Sequence, residues 1–434
     1  MVSVQESARR ERGAAARLAV PGRYEMRHSV QRIIAVSGIL AITCSHVSCA
    51  ATSNRGASRD DTGTSSYSAF GFALYREILK ERPGENIFVS PASVGFALAM
   101  TYNGAQGTTI QDMAKILGIA GRSLGEINRT DSLLISATNT PMKGVELSIA
   151  NSLWARQGLD FNKDFLARNK RFYGAEVRSI DFASPQAAPQ INGWVAEKTK
   201  DKIKEIVDSI DESSILFLIN AIYFKGTWTK EFDKEATREE TFYLPGGGER
   251  ARPMMRQGGE YLYLKGNGFQ AAGLPYGEGR MSMYLFLPDE RAGLDEFHAQ
   301  LSAEGWDAWM GSFAQKSGRI VLPRFKLEFK AKLKTALTNL GMGIAFDGDR
   351  ANFAAMIKRA GANAYIEDVV HKTFVEVNEK GTEAAAATSV EMRLTSVMEP
   401  EKPFEMICDH PFFFAIRDNE TGLVLFMGSI VNPE

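Results

Sequence analysis

Near the C-terminus, Thr373-Phe374-Val375-Glu376-Val377 alternates as a half-buried strand does, and the alternation resumes at Thr382 with no hairpin turn to return the chain to a neighbour. One parity of the second segment holds Thr382, Ala384, Ala386, Thr388, Val390, Met392 and Leu394, all small or apolar. The other holds Glu383, Ala385, Ala387, Ser389, Glu391, Arg393 and Thr395, the more polar set, so a two-faced strand is encoded. Yet alanines are poor strand formers, and a glycine, Gly381, precedes the four of them. Such a segment can be a loop in one state and a strand in another. Small side chains at Thr382, Ala384 and Ala386 suit a segment that must slide between strands already packed over a core, where bulk would clash.

The stretch Glu379-Lys380-Gly381-Thr382-Glu383-Ala384-Ala385-Ala386-Ala387-Thr388 resembles the hinge of the serpin family, and the resemblance covers most of the chain. Asn86-Ile87-Phe88-Val89-Ser90-Pro91-Ala92-Ser93 is similar to the family's early signature and is followed by Gly104-Ala105-Gln106-Gly107. Then come Asn220-Ala221-Ile222-Tyr223-Phe224-Lys225-Gly226-Thr227-Trp228, Asp409-His410-Pro411-Phe412-Phe413-Phe414 and Leu425-Phe426-Met427-Gly428-Ser429-Ile430-Val431-Asn432-Pro433, in family order. The resemblance implies the α+β serpin fold, with three β-sheets, about nine helices and an exposed reactive-centre loop.

Periodicity agrees with that class. Helical spacing is visible over 66–80, 92–102, 110–117, 187–206, 294–305 and 332–340, and strand-like runs over 146–154, 215–224, 259–263, 281–287, 318–325, 372–377, 412–417 and 424–431. Helices gathered early and strands gathered late argue for α+β rather than βαβ winding. No Pro/Gly/Ser-rich linker interrupts 66–434, which reads as one domain. Residues 1–25 are Arg- and Ala-rich without apolar periodicity and read as a non-structural segment or a mis-assigned start, with Met26 as the alternative initiator. Residues 26–50 read as a signal peptide: Arg27 to Arg32 supply the charge, Ile33 to Ile42 the apolar run, and Ser48-Cys49-Ala50 the small residues for cleavage. Export to a secreted or periplasmic location follows, with lipid attachment at Cys44 or Cys49 as the alternative. Residues 51–65 read as a flexible linker.

Few chemistries survive inspection. A formal net charge of -1 gives no global reason to expect nucleic acid, and Lys198, Lys200, Lys202 and Lys204 read as a solvated helix face. Of 3 cysteines two lie in the signal region, leaving Cys408, which reads as a small buried hydrophobe. Its neighbours Asp409 and His410, placed on a strand, would point to alternating faces and could not converge on one reacting atom. The histidines outside the signal region, His298, His371 and His410, have no metal-ligand spacing, and Gly266, Gly268 and Gly273 form no nucleotide fingerprint. Neither a metal, a cofactor nor an enzyme activity is expected.

The resemblance supplies the site. Ser90, Ser93, Asn220 and His371 match the family's polar cluster beneath the centre of the main sheet, with helix N-capping as a compatible role for either serine. Trp228 matches the tryptophan over which the hinge enters, and Glu379 the acidic residue at the hinge base. The family partner of that acid is a lysine after a proline, whereas here Pro323 is followed by Arg324. The implied activity is suicide inhibition of serine proteases, the cleaved arm Thr382 to Leu394 inserting into the sheet. The alternative is a non-inhibitory binding, storage or chaperone-like member of the fold. Counting the family interval from Glu379 puts the reactive bond between Thr395 and Ser396, which suits elastase-like or subtilisin-like proteases. Cleavage after Arg393 would suit a trypsin-like pocket and after Leu394 a chymotrypsin-like one. A monomer with a capacity for loop-sheet polymerisation is expected.

Overall fold

In the computed structural model, the structure describes residues 63–212, 214, 216–358, 364–382 and 402–434. The segments expected to be the start, the signal peptide and most of the linker, as well as Glu383 to Thr388 of the hinge and Arg393, Leu394, Thr395 and Ser396, lie outside the described residues.

Runs rich in β-branched and aromatic residues build two sheets. The six-stranded sheet has the order β10 (Phe325–Lys332), β11 (Asp368–Asn378), β12 (Gly381–Thr382), β4 (Leu216–Thr227), β2 (Val145–Arg156), β3 (Glu176–Ile180). The second runs β1 (Ile87–Val89), β15 (Val424–Ile430), β14 (Phe412–Asp418), β8 (Met281–Pro288), β7 (Phe269–Tyr276), β6 (Glu249–Lys265), β9 (Ala314–Pro323), β13 (Phe404–Ile407), with β5 (Arg238–Tyr243) also pairing β6. The third sheet implied by the resemblance is joined to this one. The long β6 pairs with β5 through its first residues and with β7 through its last, so one strand serves both halves.

Nine α-helices stand among the described residues: α1 (Thr64–Glu81), α2 (Pro91–Tyr102), α3 (Gly107–Ile116), α4 (Leu124–Thr138), α5 (Lys163–Tyr173), α6 (Ala187–Lys198), α7 (Leu294–Gln300), α8 (Ala303–Ser312) and α9 (Lys334–Leu337). The helix that positions the site is α2. Pro91 at its first position and Ser90 as its N-cap start it where the chain leaves β1. Every residue of α2 is buried, because it lies between the sheets, against β4 and β2 of one and β15 of the other. On the opposite face of the six-stranded sheet, Ile191, Trp194 and Val195 of α6 pack against Trp154 and Phe217 in a separate core.

Several expected boundaries move for local reasons. The helix expected over 187–206 stops at Lys198, because Lys200 and Asp201 take positive φ angles of 52° and 60°. Lys200, Lys202 and Lys204 therefore leave the helix; Lys200 pairs with Glu146, and Lys202 lies 5.6 Å from the centre of the Phe374 ring. The helix expected over 294–305 is two, α7 and α8, with Ser302 accepting from the Gly305 backbone N–H at 3.0 Å to restart the coil. No helix among the described residues is long and apolar enough to cross a membrane.

Candidate functional site

β4 and β11 run parallel and pair from Phe217 with Asp368 to Ile222 with Thr373, which sets Asn220 directly beside His371. Beyond Thr373 the two strands part. Into the gap, from the opposite direction, come Gly381 and Thr382: Thr382 pairs with Val377 of β11 on one side and with Gly226 of β4 on the other. The hinge thus already contributes a two-residue strand to the sheet.

The cluster beneath the centre is a connected set of hydrogen bonds among buried groups. The Ser90 backbone N–H donates to Nε2 of His371 at 3.0 Å, so Nε2 must be the bare nitrogen. Nδ1 then carries the proton and donates to Oδ1 of Asn220 at 2.6 Å. The Asn220 amide donates in turn to Ser93 Oγ and to Oδ1 of Asn151 at 2.6 Å. Ser90 Oγ donates to the Leu425 carbonyl at 2.6 Å, tying α2 to β15, and accepts from the Ser93 N–H at 3.4 Å. Both expected roles of Ser90, cap and cluster member, are therefore present. Burial pushes the His371 imidazole down to about 3 and keeps it neutral.

At the hinge base, Arg324 Nε donates to the two Glu379 oxygens at 2.8 and 2.9 Å, its terminal nitrogen adds a further contact, and Thr237 Oγ1 donates to Oε1 at 2.6 Å. Burial by itself would raise the Glu379 carboxyl, but the bonds from Arg324 and Thr237 outweigh it and hold the group below the usual range. Arg324, standing where the resemblance puts the family's lysine, offers a fork that suits a carboxylate. Trp228 covers the entry: its indole N–H donates to the Asn378 carbonyl at 3.0 Å and its backbone N–H to that of Lys380 at 2.9 Å. Its ring stacks on Tyr276 at 4.4 Å, and the Tyr276 hydroxyl meets Thr382 Oγ1 at 2.6 Å. Gly381 has φ 149°, and a Cβ there would collide with the Gly226 carbonyl oxygen, so no other residue fits this entry.

The structure thus unites Ser90, Ser93, Asn220 and His371, and separately unites Glu379, Arg324, Trp228, Gly381 and Thr382. Asn151, Thr237 and Tyr276 were missed. An asparagine inside the apolar run Ile149 to Trp154 is the signal that could have found the first; nothing local marks the others. Cys408, Asp409 and His410 fall in the irregular turn between β13 and β14 rather than on a strand. His410 faces Asp409 Oδ1 at 2.7 Å and the Pro288 carbonyl at 2.9 Å, while Cys408 is fully buried. Among the described residues, no hydrogen bond joins His410 to the thiol.

A sheet with a two-residue strand entering between parallel strands over a buried polar cluster defines the class, an α+β protein built around that opening. The family model described as "Serpin (serine protease inhibitor)" matches residues 65–433, and the chain belongs to the serpin family. It is 36% identical to an uncharacterized serpin-like protein of Thermococcus kodakarensis over 84% of each chain, and 36% identical to the leukocyte elastase inhibitor of Xenopus tropicalis over 84% of this chain and 97% of that one. Among solved structures it resembles the thermophilic serpin tengpin in its native state, with a TM-score of 0.78, 31% identity and coverage of 87% and 95%. It also resembles human thyroxine-binding globulin complexed with thyroxine, with a TM-score of 0.79, 28% identity and coverage of 86% and 99%.

Proposed function

We propose that the protein is a suicide-substrate inhibitor of serine proteases that traps the acyl-enzyme by inserting its cleaved reactive-centre loop into the six-stranded sheet. The observation that carries this reading is the pairing of Thr382 with both Gly226 and Val377. Continued in the same register, Ala384 would lie between Phe224 and Val375, Ala386 between Ile222 and Thr373, and Thr388 between Asn220 and His371. Parity would turn all three toward the side Thr382 already faces. The Thr388 hydroxyl, both donor and acceptor, could then take over the bond that Asn220 and His371 now share. The register runs out near Glu391, opposite Asp368 and Phe217.

An inserted strand bonds along both edges, while the direct β4–β11 pairing over six registers is given up. At about 1 kcal/mol per backbone bond the net gain is on the order of 10 kcal/mol. The intact form is therefore a kinetic trap. The protease attacks the carbonyl carbon of Thr395 in the first reading, or of Arg393 or Leu394, and Ser396 is on the leaving side, so this chain supplies no catalytic group. Residues 26–50 would direct export.

The test is incubation of the purified protein with elastase, subtilisin, trypsin and chymotrypsin in turn. A heat- and detergent-stable band at the summed mass is expected with at least one, and the first residue of the released C-terminal peptide identifies the bond. Loop cleavage that leaves every protease active would overturn the inhibitory reading. It would favour a non-inhibitory binding protein, a reading to which the likeness to thyroxine-binding globulin lends support.

A further inference from the structure

Away from the sheet opening, a cavity of about 450 Å³ lies where the C-terminal end of α1, the start of α7 and the ends of β14 and β15 meet. Leu79, Pro245, Leu294 and Pro411 give it apolar walls. Its volume is in the range of sites for small organic ligands. His298 and Ser429 also line it, and they belong to a chain of buried polar groups: the Tyr75 hydroxyl meets Ser429 Oγ at 2.6 Å, and Ser429 Oγ meets Nε2 of His298 at 2.8 Å.

The protons on this chain can be placed by counting. Ser429 has one hydrogen for two neighbours. If Tyr75 donates to Ser429 and Ser429 donates to Nε2, the proton of His298 is on Nδ1 and is the one donor of the chain left without an acceptor among the described residues. The reverse order leaves the hydrogen of the Tyr75 hydroxyl over instead, on a fully buried residue that does not line the cavity, whereas His298 does line it. Burial pushes His298 down to about 4, so it is neutral. Its Nδ1–H has no acceptor within hydrogen-bond distance among the described residues; the nearest carboxylate oxygen, on Asp295, is 3.9 Å away. The histidine is only 7% exposed and lines the cavity, so the cavity is where an acceptor for this donor can stand. The charged residues of the lining are unequal in their engagements. Lys80 is held by Glu77 at 2.6 Å and Glu85 by Arg82 at 3.3 Å. Arg291 lies over the Tyr243 ring and pairs with no carboxylate among the described residues.

We infer that this cavity is a binding site for a small apolar or aromatic carboxylate, one oxygen accepting from Nδ1 of His298, the hydrocarbon body filling the walls, and the charge balanced by Arg291. Asp295 opposes that charge and sets a selectivity of opposite sign. The inference is independent of the inhibitory reading, since no residue of the hinge or the central cluster lines the cavity.

Calorimetric titration of the full chain with 2-naphthoate, and with the uncharged 2-naphthalenemethanol as control, tests it. One saturable site is expected for the carboxylate, with the alcohol weaker. Exposed charges of this kind change affinity by up to about fivefold, so Arg291→Ala should weaken binding and Asp295→Asn tighten it within that range. Ser429→Leu, which fills the floor, should abolish it. Because Arg291 and Asp295 are exposed, their variants fold whatever becomes of the floor variant. Absence of saturable carboxylate binding, or equal binding by wild type, Arg291→Ala and Asp295→Asn, would overturn the site.

Discussion

The centre of the six-stranded sheet and the end where the hinge enters are tied by opposite means. At the centre Ser90, Ser93, Asn151, Asn220 and His371 are neutral, buried and mutually satisfied, so separating β4 from β11 there breaks several bonds at once in a dry environment. At the entry the principal tie is a charged pair whose Arg324 side chain is 38% exposed, so water can replace one partner as the other leaves. Under the proposed insertion, this contrast would impose an order in which the end moves first and the cluster sets the barrier.

The largest effect should come from Gly381→Val, which places a side chain against the Gly226 carbonyl in a backbone region that valine avoids. Covalent complex on a denaturing gel should vanish while loop cleavage persists; retained complex would show that the entry tolerates bulk. Next, Asn220→Ala strips partners from His371, Ser93 and Asn151 together, and a loss of about 4 kcal/mol in urea unfolding is expected. A loss under about 1 kcal/mol would mean that the centre is no tighter than the entry.

The pH response separates the regions further. His371 has an ordinary value of 6.5 and a folded value of about 3, so its contribution is fully present above pH 6.5 and is lost as pH falls toward 3. The slope is about 1.4 kcal/mol per pH unit. His298 adds to it between 6.5 and about 4, while Asp131, raised by burial from 3.8 to about 6, opposes both by favouring the folded state as pH falls through 6. Urea unfolding of His371→Gln between pH 6 and 4.5 should therefore show a shallower acid loss than wild type, by about that slope. An unchanged slope would remove His371 from the acid response. The smallest effect is expected for Arg324→Lys, which keeps the charge but loses the fork, at about 1 kcal/mol or less in the same assay. A loss as large as that of Asn220→Ala would abolish the contrast between centre and entry.

Much of this was legible in residue order. Ser90-Pro91 announces the start of α2, the alternation of Thr373 to Val377 announces β11, and Gly381 followed by small residues announces a segment able to enter a sheet. The serpin resemblance identified Asn220 and His371. Other parts were hidden. α4 and α5 have largely polar faces; only the reciprocal bonds of Ser123 and Glu126 mark the start of α4, a spacing readable in the chain. β6 starts at Glu249 and runs through Gly258 and Gly259, well before the strand expected over 259–263, because β9 pairs with it across both glycines. Tyr276 is far in sequence from Trp228 and Thr382, and no periodicity connects them.

By itself the sequence determined which segments could be strands and helices, and that the hinge carries residues small enough to insert. Those properties depend on side-chain size, polarity and spacing along one stretch of chain. Only the tertiary structure decided that His371 carries its proton on Nδ1, that Arg324 grips Glu379 through its fork, that Thr382 already pairs on both sides, and that Nδ1 of His298 is left idle beside a cavity. Each of these depends on groups brought together from distant parts of the chain, where burial and the geometry of the partner, not residue type, set the proton and the bond.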